Sequence, residues 1–435
     1  LSACQSVHTT QAGVVGVDVL DAKTGRLVKH IDVTEYGLIN SVAIHNGVAA
    51  FAIEDALNRR APGSVVFYDT KTRLPSQGVS RVSVGALPDM LTFTHDGRKL
   101  LVANEGTPNE TADQAYTAPD PEGSVSVIDM NTRKVIATAG FAGVPITGDN
   151  VRLNTGMDFE PEYITVNRDN TKAYVTLQEA NAVGVLNLTS NRFTQVTGLG
   201  LKDFGLEGNE IDPNDKDARV ALRMSTVKGL YQPDAIANYQ FRGKTYTVMA
   251  NEGDTREDNG DKARVKDVSA LQALAPADLQ RLNISTTDSE PGNLVTFGAR
   301  SFSIRDDKGA LVYDSGKLLD AEAMARGIYD DGRSDDKGVE PEGVALMKIE
   351  DRTYAFIGLE RTQKAAVAVF DITRPARTKF VDMIVTDGDV SPEGLAAYNY
   401  RGDAYLAIAN EVSNTTSLYH VDLPRSKREK HGKSK

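Results

Sequence analysis

The sequence is poor in the residues from which disulfides, thiol chemistry and imidazole metal sites are built. Its 435 residues include one cysteine, six histidines and no tryptophan. One cysteine excludes a disulfide within the chain, and no two histidines stand at the spacing of zinc ligands, which argues against an imidazole zinc site. No apolar run of about 18 residues occurs, so the sequence predicts no membrane-spanning helix.

Several signatures of catalysis are missing as well. The sequence contains no G-x-S-x-G nucleophile motif, no Cys-His pair, no phosphate-binding loop and no dinucleotide fingerprint. Its formal net charge is -11, which argues against nucleic acid and anionic membrane surfaces as partners and favours cations. Nucleophilic catalysis by serine or cysteine is therefore not indicated.

The single cysteine lies near the start of the sequence. Leu1-Ser2-Ala3-Cys4 resembles a bacterial lipobox, and a polar stretch follows it. We interpret residues 1–12 as a tether whose Cys4 carries a lipid anchor, which predicts a lipoprotein of the cell envelope or a secreted protein. The alternative is an ordinary thiol in a disordered leader.

What the sequence does contain is an internal repeat. Five times a proline is followed by an acid and an apolar run, and a glutamate comes 16 to 18 residues after that acid. The pairs are Asp89 with Glu105, Glu162 with Glu179, Asp234 with Glu252, Glu342 with Glu360, and Glu393 with Glu411. A degenerate sixth copy, Ser41-Val42-Ala43 with Glu54, lacks the proline and the first acid. Such periodicity indicates a repeat architecture.

Each repeat predicts the four antiparallel strands of a β-propeller blade. Two apolar runs joined by a Gly, Asp or Asn turn form a hairpin, and a third run and a short fourth run follow. We therefore predict an all-β fold in which residues 13–423 form one propeller with six visible hairpins. Residues 13–33 resemble a third and a fourth strand without a hairpin, so pairing of the N- and C-terminal strands is expected to close the ring.

The spacing between repeats predicts long insertions in this domain. They cover residues 107–123, 199–232, 253–292 and 319–340, and 269–283 has helical character. The basic segment 424–435 is predicted to be disordered. Nothing in the sequence indicates an oligomer, so we expect a monomer.

Hairpin geometry predicts that the repeated acids meet. The start of one strand and the end of its antiparallel partner lie at the same edge of a sheet, so all ten acids should surround the channel mouth. Carboxylates at this density repel one another unless a cation or basic groups occupy the centre, and oxygen ligands favour a divalent metal, Ca²⁺ above all. Asn104, Asn251 and Asn410, beside the glutamates, are further oxygen donors. The alternative is that the acids brace the blades by accepting bonds from backbone amides.

Basic residues accompany the acids in the last insertion. Arg333, Asp335, Asp336 and Lys337 immediately precede Glu340-Pro341-Glu342, and Arg361 follows Glu360. Guanidinium groups match phosphate oxygens, so these five residues are candidates for a catalytic role. Arg256, Glu257 and Asp258 are weaker candidates. The alternative is that these segments are solvated, salt-bridged loops.

The sequence resembles the choice-of-anchor I family over residues 13 to 423. The resemblance rests on stretches such as Gly85-Ala86-Leu87-Pro88-Asp89, Ala103-Asn104-Glu105-Gly106, Ala250-Asn251-Glu252-Gly253-Asp254, Arg333 to Val344 and Ala409-Asn410-Glu411. It implies an exported, surface-attached propeller of seven blades. Some members of that family are described as alkaline phosphatases and others only as surface glycoproteins.

Two functions follow as hypotheses. The first is a metal-dependent phosphoesterase, either a phosphatase or a phosphodiesterase, acting on a small-molecule phosphoester at the channel mouth. The second is a non-catalytic surface propeller that binds a partner or a cell-surface polymer. Lactone or sugar chemistry is a more distant option.

Overall fold

The computed structural model describes residues 7–11, 14–107, 121–153, 159–255 and 260–422. Cys4, the segment 424–435, most of the 107–123 insertion and the Arg256, Glu257 and Asp258 group lie outside the described residues. The all-β prediction is confirmed, since antiparallel sheets account for most of the structure.

An N-terminal sheet and three successive blades form the first half. The N-terminal sheet contains β1 (Val7–Gln11), β2 (Val14–Leu20) and β3 (Leu27–Asp32). The first blade contains β4 (Leu38–His45), β5 (Val48–Glu54), β6 (Pro62–Asp69), β7 (Leu74–Pro75) and β8 (Arg81–Ala86). The second contains β9 (Pro88–Phe93), β10 (Lys99–Asn104), β11 (Ser124–Asp129) and β12 (Lys134–Ala139). The third contains β13 (Ile146–Thr147), β14 (Pro161–Val166), β15 (Lys172–Leu177), β16 (Ala182–Asn187) and β17 (Arg192–Gly198).

Three blades and most of the inserted elements form the second half. The fourth blade is formed by β20 (Ile236–Phe241), β21 (Lys244–Asn251), β25 (Ser301–Asp306) and β26 (Leu311–Asp314). The inserted strands before and within it are β18 (Leu201–Asp203), β19 (Val227–Leu230), β22 (Lys262–Arg264), β23 (Asn283–Ser285) and β24 (Leu294–Thr296). The fifth blade contains β27 (Pro341–Ile349), β28 (Arg352–Leu359), β29 (Ala365–Asp371) and β30 (Lys379–Thr386), and the sixth contains β31 (Pro392–Tyr400), β32 (Asp403–Asn410) and β33 (Thr415–His420).

The insertions contain the helices and two accessory sheets. Helix α1 (Ser269–Gln272) lies in the segment predicted to be helical, and α2 (Leu318–Ala325) lies at the start of the last insertion. Strands β18, β19 and β24 form one accessory sheet, and β22 pairs with β23 in the other. No helix among the described residues has both the length and the apolar character that a bilayer crossing requires.

The six predicted hairpins are all present, and their first strands pack on one another in chain order. The second strand of each hairpin is buried along most of its length, for example β10 and β28. Such strands are covered by neighbouring blades on both faces, which explains their unbroken apolar runs. The hydrophobic core therefore lies between the blades, and the first strands form a continuous series from β4 to β31.

Pairing between the chain ends is not found in the described residues. Strand β1 lies within the segment predicted to be a tether, where it pairs with β2, and β33 pairs with β32. The N-terminal sheet instead packs on the first blade through Val17 and Val19, and Tyr398 of the sixth blade donates a hydrogen bond to the Ala22 carbonyl at 2.7 Å. Side-chain packing rather than a shared sheet brings the two ends together, because β1 supplies the N-terminal sheet with a third strand.

Candidate metal centre

The backbone around four of the five repeated prolines is irregular in the same way. In β9, Pro88 lies opposite Asn104 at the end of β10, and Pro341 in β27 likewise lies opposite Leu359. A register shift directly follows these prolines, and the same shift recurs at Pro161 and Pro392. A bulge of this kind takes one residue out of the ladder and redirects its side chain. The side chain of the acid after the proline therefore does not follow the alternation of side chains along the strand.

Four of the five prolines also follow a residue with a left-handed backbone. These residues are Leu87, Gln232, Glu340 and Ser391, with φ of 44°, 41°, 50° and 56°. Non-glycine residues adopt this conformation only where the surrounding structure enforces it, and such positions concentrate at functional sites. Nothing in a single sequence marks these positions.

Seven of the ten predicted acids come together in three carboxylate triads. In each triad one oxygen per side chain lies within 4.8 Å of those of the other two. The first triad is Asp89, Glu105 and Glu162; the second is Asp234, Glu252 and Glu342; the third is Glu252, Glu340 and Glu360. Ligands on opposite sides of a Ca²⁺ ion stand about 5 Å apart, so each triad has the dimensions of one coordination sphere.

The acids of the first triad repel one another in a buried setting. Burial raises the pKa of Asp89 to about 8, and the charges of Glu105 and Glu393 add to the shift. Burial also raises the pKa of Glu105 to about 7, although a hydrogen bond from Thr107 and the charge of Arg59 oppose it. Burial raises the pKa of Glu162 well above its ordinary value, and the charge of Glu105 makes the next largest contribution. Arg59 is the cation that opposes the shifts of Asp89 and Glu105, and its charge does not offset the effect of burial.

The second triad is half-buried and has one cation beside it. Burial raises the pKa of Asp234 and Glu342 well above ordinary values, and Glu252 is the largest charged contributor to both. Burial raises the pKa of Glu252 as well, while the Lys337 ammonium opposes this shift. Lys337 Nζ lies 3.3 Å from Glu252 Oε1.

The third triad is surrounded by cations. Glu340 is buried and accepts a hydrogen bond from Arg333 Nε at 2.8 Å, and Lys337 Nζ lies 3.0 Å from its other oxygen. Arg361 NH2 lies 2.8 Å from Glu360 Oε1, and its side chain remains 43% exposed. Burial opposes the charge on Lys337, yet Glu252 and Glu340 hold its pKa well above the ordinary value. Burial raises the pKa of Glu360 to about 8.

Two buried oxygens near the triads have no hydrogen-bond partner in the described residues. They are Glu179 Oε2 and Glu342 Oε2. Glu179 is 9% exposed, and its pKa is raised well above the ordinary value by burial and by charges that include Glu105 and Glu252. A buried carboxylate oxygen without a donor is costly unless a cation satisfies it. This donor set therefore fits a hard divalent ion.

The other predicted site residues lie in different surroundings. Glu393 is one of the five acids that follow the prolines, but its side chain is exposed and belongs to no triad. Desolvation of its carboxyl group and the charge of Glu411 raise its pKa to about 7. Glu411 itself is exposed and belongs to no triad. Asp336 lies 3.1 Å from Arg333, whereas Asp335 is buried against Arg264 and Arg281, with a distance of 3.3 Å to the latter. Asp335 thus attaches the loop to the 253–292 insertion.

The three asparagines beside the glutamates are bonded within their own blades, although Asn410 Oδ1 has no hydrogen-bond partner in the described residues. Asn104 is fully buried and donates to Ser126 Oγ at 2.9 Å, and Asn251 accepts from Ser303 Oγ at 3.1 Å. Asn410 donates to Thr415 and Ser417 at 3.2 and 3.3 Å. Neighbouring residues of a strand point to opposite faces, so these amides brace the third strand of their blade while the following glutamate leaves the sheet.

In the described residues, backbone amides do not brace the five acids that follow the repeated prolines. Among the described residues, no backbone amide donates to the side chains of the five acids that follow the prolines. The five are Asp89, Glu162, Asp234, Glu342 and Glu393. Their carboxylates face one another, and this observation favours a cation over structural bracing.

Sequence reasoning missed four contributors to the site. Glu340 precedes the repeated proline and is the acid that Arg333 and Lys337 share. Gln178 donates to Glu252 at 2.9 Å, Asp254 lies 3.8 Å from Lys337, and the phenol of Tyr163 lies among the acids, where burial and Asp234 raise its pKa. Acids on both sides of the proline, as in Glu340-Pro341-Glu342, were the available signal.

Comparison with known proteins agrees with the fold. The choice-of-anchor I domain model matches residues 3–375. No curated protein matches the sequence. Similar solved structures include the hydrazine synthase of Kuenenia stuttgartiensis, at 12% identity over 97% of this chain and 94% of that one with a TM-score of 0.50. The periplasmic gluconolactonase of Pseudomonas aeruginosa is similar at 12% identity, over 96% and 91%, with a TM-score of 0.50. At such identity the likeness concerns the fold alone.

Proposed function

We propose that this chain, which belongs to the choice-of-anchor I family, is a metal-dependent phosphoesterase with its active site at the channel mouth. Membership of the family indicates a surface or exported protein. The observation that carries the proposal is the position of Glu252, which belongs to a carboxylate triad and also contacts the Lys337 ammonium of a cationic cluster. Acids for a metal and basic groups for an anion thus adjoin one another.

The residues that would hold the metal are those of the first and second triads. Glu179 and Glu342 each present a buried oxygen without a partner, and all the side-chain donors in these triads are carboxylates, which suits Ca²⁺. A bound divalent ion would supply Lewis-acid polarisation of a phosphoryl oxygen and a lowered pKa for an attacking water.

The basic residues would orient the phosphoester. Arg361 is the candidate for direct contact, because its guanidinium is 43% exposed and is held by Glu360 at 2.8 Å. A guanidinium fork can bond two phosphoryl oxygens at once and stabilise charge that develops on them. Arg333 is more buried, and its bond to Glu340 makes it a positioning residue for Lys337.

Phosphatase and phosphodiesterase assays on metal-free protein test the activity. Chelator-treated protein is assayed with p-nitrophenyl phosphate and bis(p-nitrophenyl) phosphate before and after addition of Ca²⁺, Mg²⁺, Mn²⁺ or Fe²⁺. We expect turnover only after metal is added. A protein that binds metal and hydrolyses neither ester would contradict the proposed activity and favour a non-catalytic surface propeller.

Glu342→Gln tests the metal ligand. The substitution keeps the size of the side chain but removes its charge, so we expect at least about a 100-fold loss of activity, since even groups behind metal ligands account for 10- to 100-fold. Circular dichroism should show an unchanged fold. Glu411→Gln is the matched control, because Glu411 is exposed and outside the triads. Equal rates for both variants would exclude Glu342 as a ligand.

We further propose that Cys4 carries a lipid anchor. The motif Leu1-Ser2-Ala3-Cys4 supports this attachment. Mass spectrometry of protein expressed with its native leader should find the lipid on Cys4 and none in Cys4→Ser. An unmodified Cys4 thiol in membrane-free protein would contradict the anchor.

A further inference from the structure

The Lys337 ammonium occupies the position of a cation in the third triad. Its Nζ lies 3.0 Å from Glu340 Oε2 and 3.3 Å from Glu252 Oε1, and both acids belong to the triad. The side chain is 10% exposed, so water cannot replace these contacts freely. An ammonium bound by two members of a carboxylate triad indicates that the triad is a cation site.

The loop that carries Lys337 is held in place by a second buried cation. Arg300 is 1% exposed and donates to the carbonyls of Ser334 at 2.7 Å and Asp336 at 2.9 Å. On the other side of Lys337, the Val339 amide donates to the buried Asp320 at 3.3 Å. These bonds fix the backbone on both sides of Lys337. Little conformational entropy is therefore lost when its ammonium contacts the acids.

A cationic side chain contacts every carboxylate of the third triad. Its three carboxylates are contacted by three cationic side chains, which are Arg333, Lys337 and Arg361. In the second triad, Asp234 and Glu342 are raised in pKa mainly by burial and by other acids. The fixed cations therefore distinguish the third triad from its neighbour, although the two share Glu252.

We propose that Lys337 is a tethered cation that takes the place of a metal ion in the third triad. The first and second triads remain available to divalent metal, and removal of the ammonium opens the third triad to one more ion. The proposal rests on the metal binding of the proposed function. It adds the number of ions that the channel mouth accepts and names Lys337 as the group that limits this number.

Metal counting on Lys337→Met tests the proposal. Wild type, Lys337→Met and the control Lys364→Met are equilibrated with the same excess of Ca²⁺, and bound calcium is measured by elemental analysis. Lys364 is a suitable control because it is 48% exposed and pairs with Asp387, which lies outside the triads. We expect one more ion per chain in Lys337→Met than in wild type and no change in Lys364→Met.

The outcomes separate this proposal from the proposed function. An extra ion in Lys337→Met supports the tethered cation even if wild type binds none, a result that would contradict metal binding by the native mouth. Metal in wild type without a gain in Lys337→Met would overturn the tethered cation and leave the proposed function intact. If Lys337→Met unfolds without calcium, refolding by Ca²⁺ supports the proposal and failure to refold at saturating Ca²⁺ overturns it.

Discussion

The first and the third carboxylate triads both contain acids of the repeat but differ in the charges that surround them. In the first triad, burial raises the pKa of all three acids, and the charge of Glu105 adds to the shifts of Asp89 and Glu162. In the third, Glu340 is held between Arg333 and Lys337. The first triad and Glu252 and Glu360 of the third come from the repeated hairpins, whereas Glu340, Arg333 and Lys337 come from the insertion before the fifth blade. The repeat supplies carboxylates to several blades, and one insertion supplies cations to only some of them.

Glu340→Gln should have the largest effect on stability. The substitution removes a buried negative charge that the buried Lys337 and the half-buried Arg333 share, and removing one partner of a buried ion pair costs about 3–5 kcal/mol. We expect the free energy of unfolding in urea to fall by that amount, with or without Ca²⁺. An unchanged free energy would show that the third triad is not organised around Glu340.

The metal-free protein should lose stability as pH rises. Burial raises the pKa of Asp89 and Glu360 to about 8, from values near 4 in the unfolded chain. The folded state therefore binds more protons between pH 4 and 8, and stability falls through that window. Thermal unfolding of chelated protein should show a midpoint at least about 2 °C lower at pH 8 than at pH 5.

Added Ca²⁺ should oppose this pH dependence. Metal competes with protons for the same carboxylates, so it should raise the unfolding midpoint at pH 8 and have little effect at pH 5. A midpoint that is independent of pH in both conditions would contradict the repulsion in the first triad.

Glu162→Gln should have the smallest effect and the opposite sign to Glu340→Gln. In metal-free protein the substitution removes a buried charge that two acids repel, so we expect stabilisation by about 1 kcal/mol at pH 8. Saturating Ca²⁺ should reverse the sign, because the variant lacks a ligand. Destabilisation of the metal-free protein would show that Glu162 has a structural partner.

Much of this arrangement could be predicted from the repeat. Pro88 and Asn104 lie at opposite ends of one hairpin, and antiparallel pairing places them side by side, so the acids next to them meet at one edge. The pattern also predicted the hairpins and the blades. It did not predict β1, because Val7–Gln11 is a short polar segment whose pairing depends on tertiary context.

The distribution of roles among the acids could not be predicted. Glu340 and Glu342 flank one proline, yet Glu340 binds cations and Glu342 keeps an oxygen without a partner. The difference follows from a left-handed backbone at Glu340 and from where the 319–340 insertion folds, which are properties of three-dimensional packing. The bonds of Asn104 and Asn251 to serines of their own blades were not predicted either, because the repeat alone does not show which face of the strand each side chain occupies.

Anomalous diffraction from crystals grown with Mn²⁺ as a substitute for Ca²⁺ tests the central claim most directly. The account predicts peaks among Asp89, Glu105 and Glu162 and among Asp234, Glu252 and Glu342, with carboxylate oxygens about 2.1–2.6 Å from each ion. It predicts no peak where the Lys337 ammonium lies. Absence of an ion from the first triad, with its three carboxylates in place, would contradict the account.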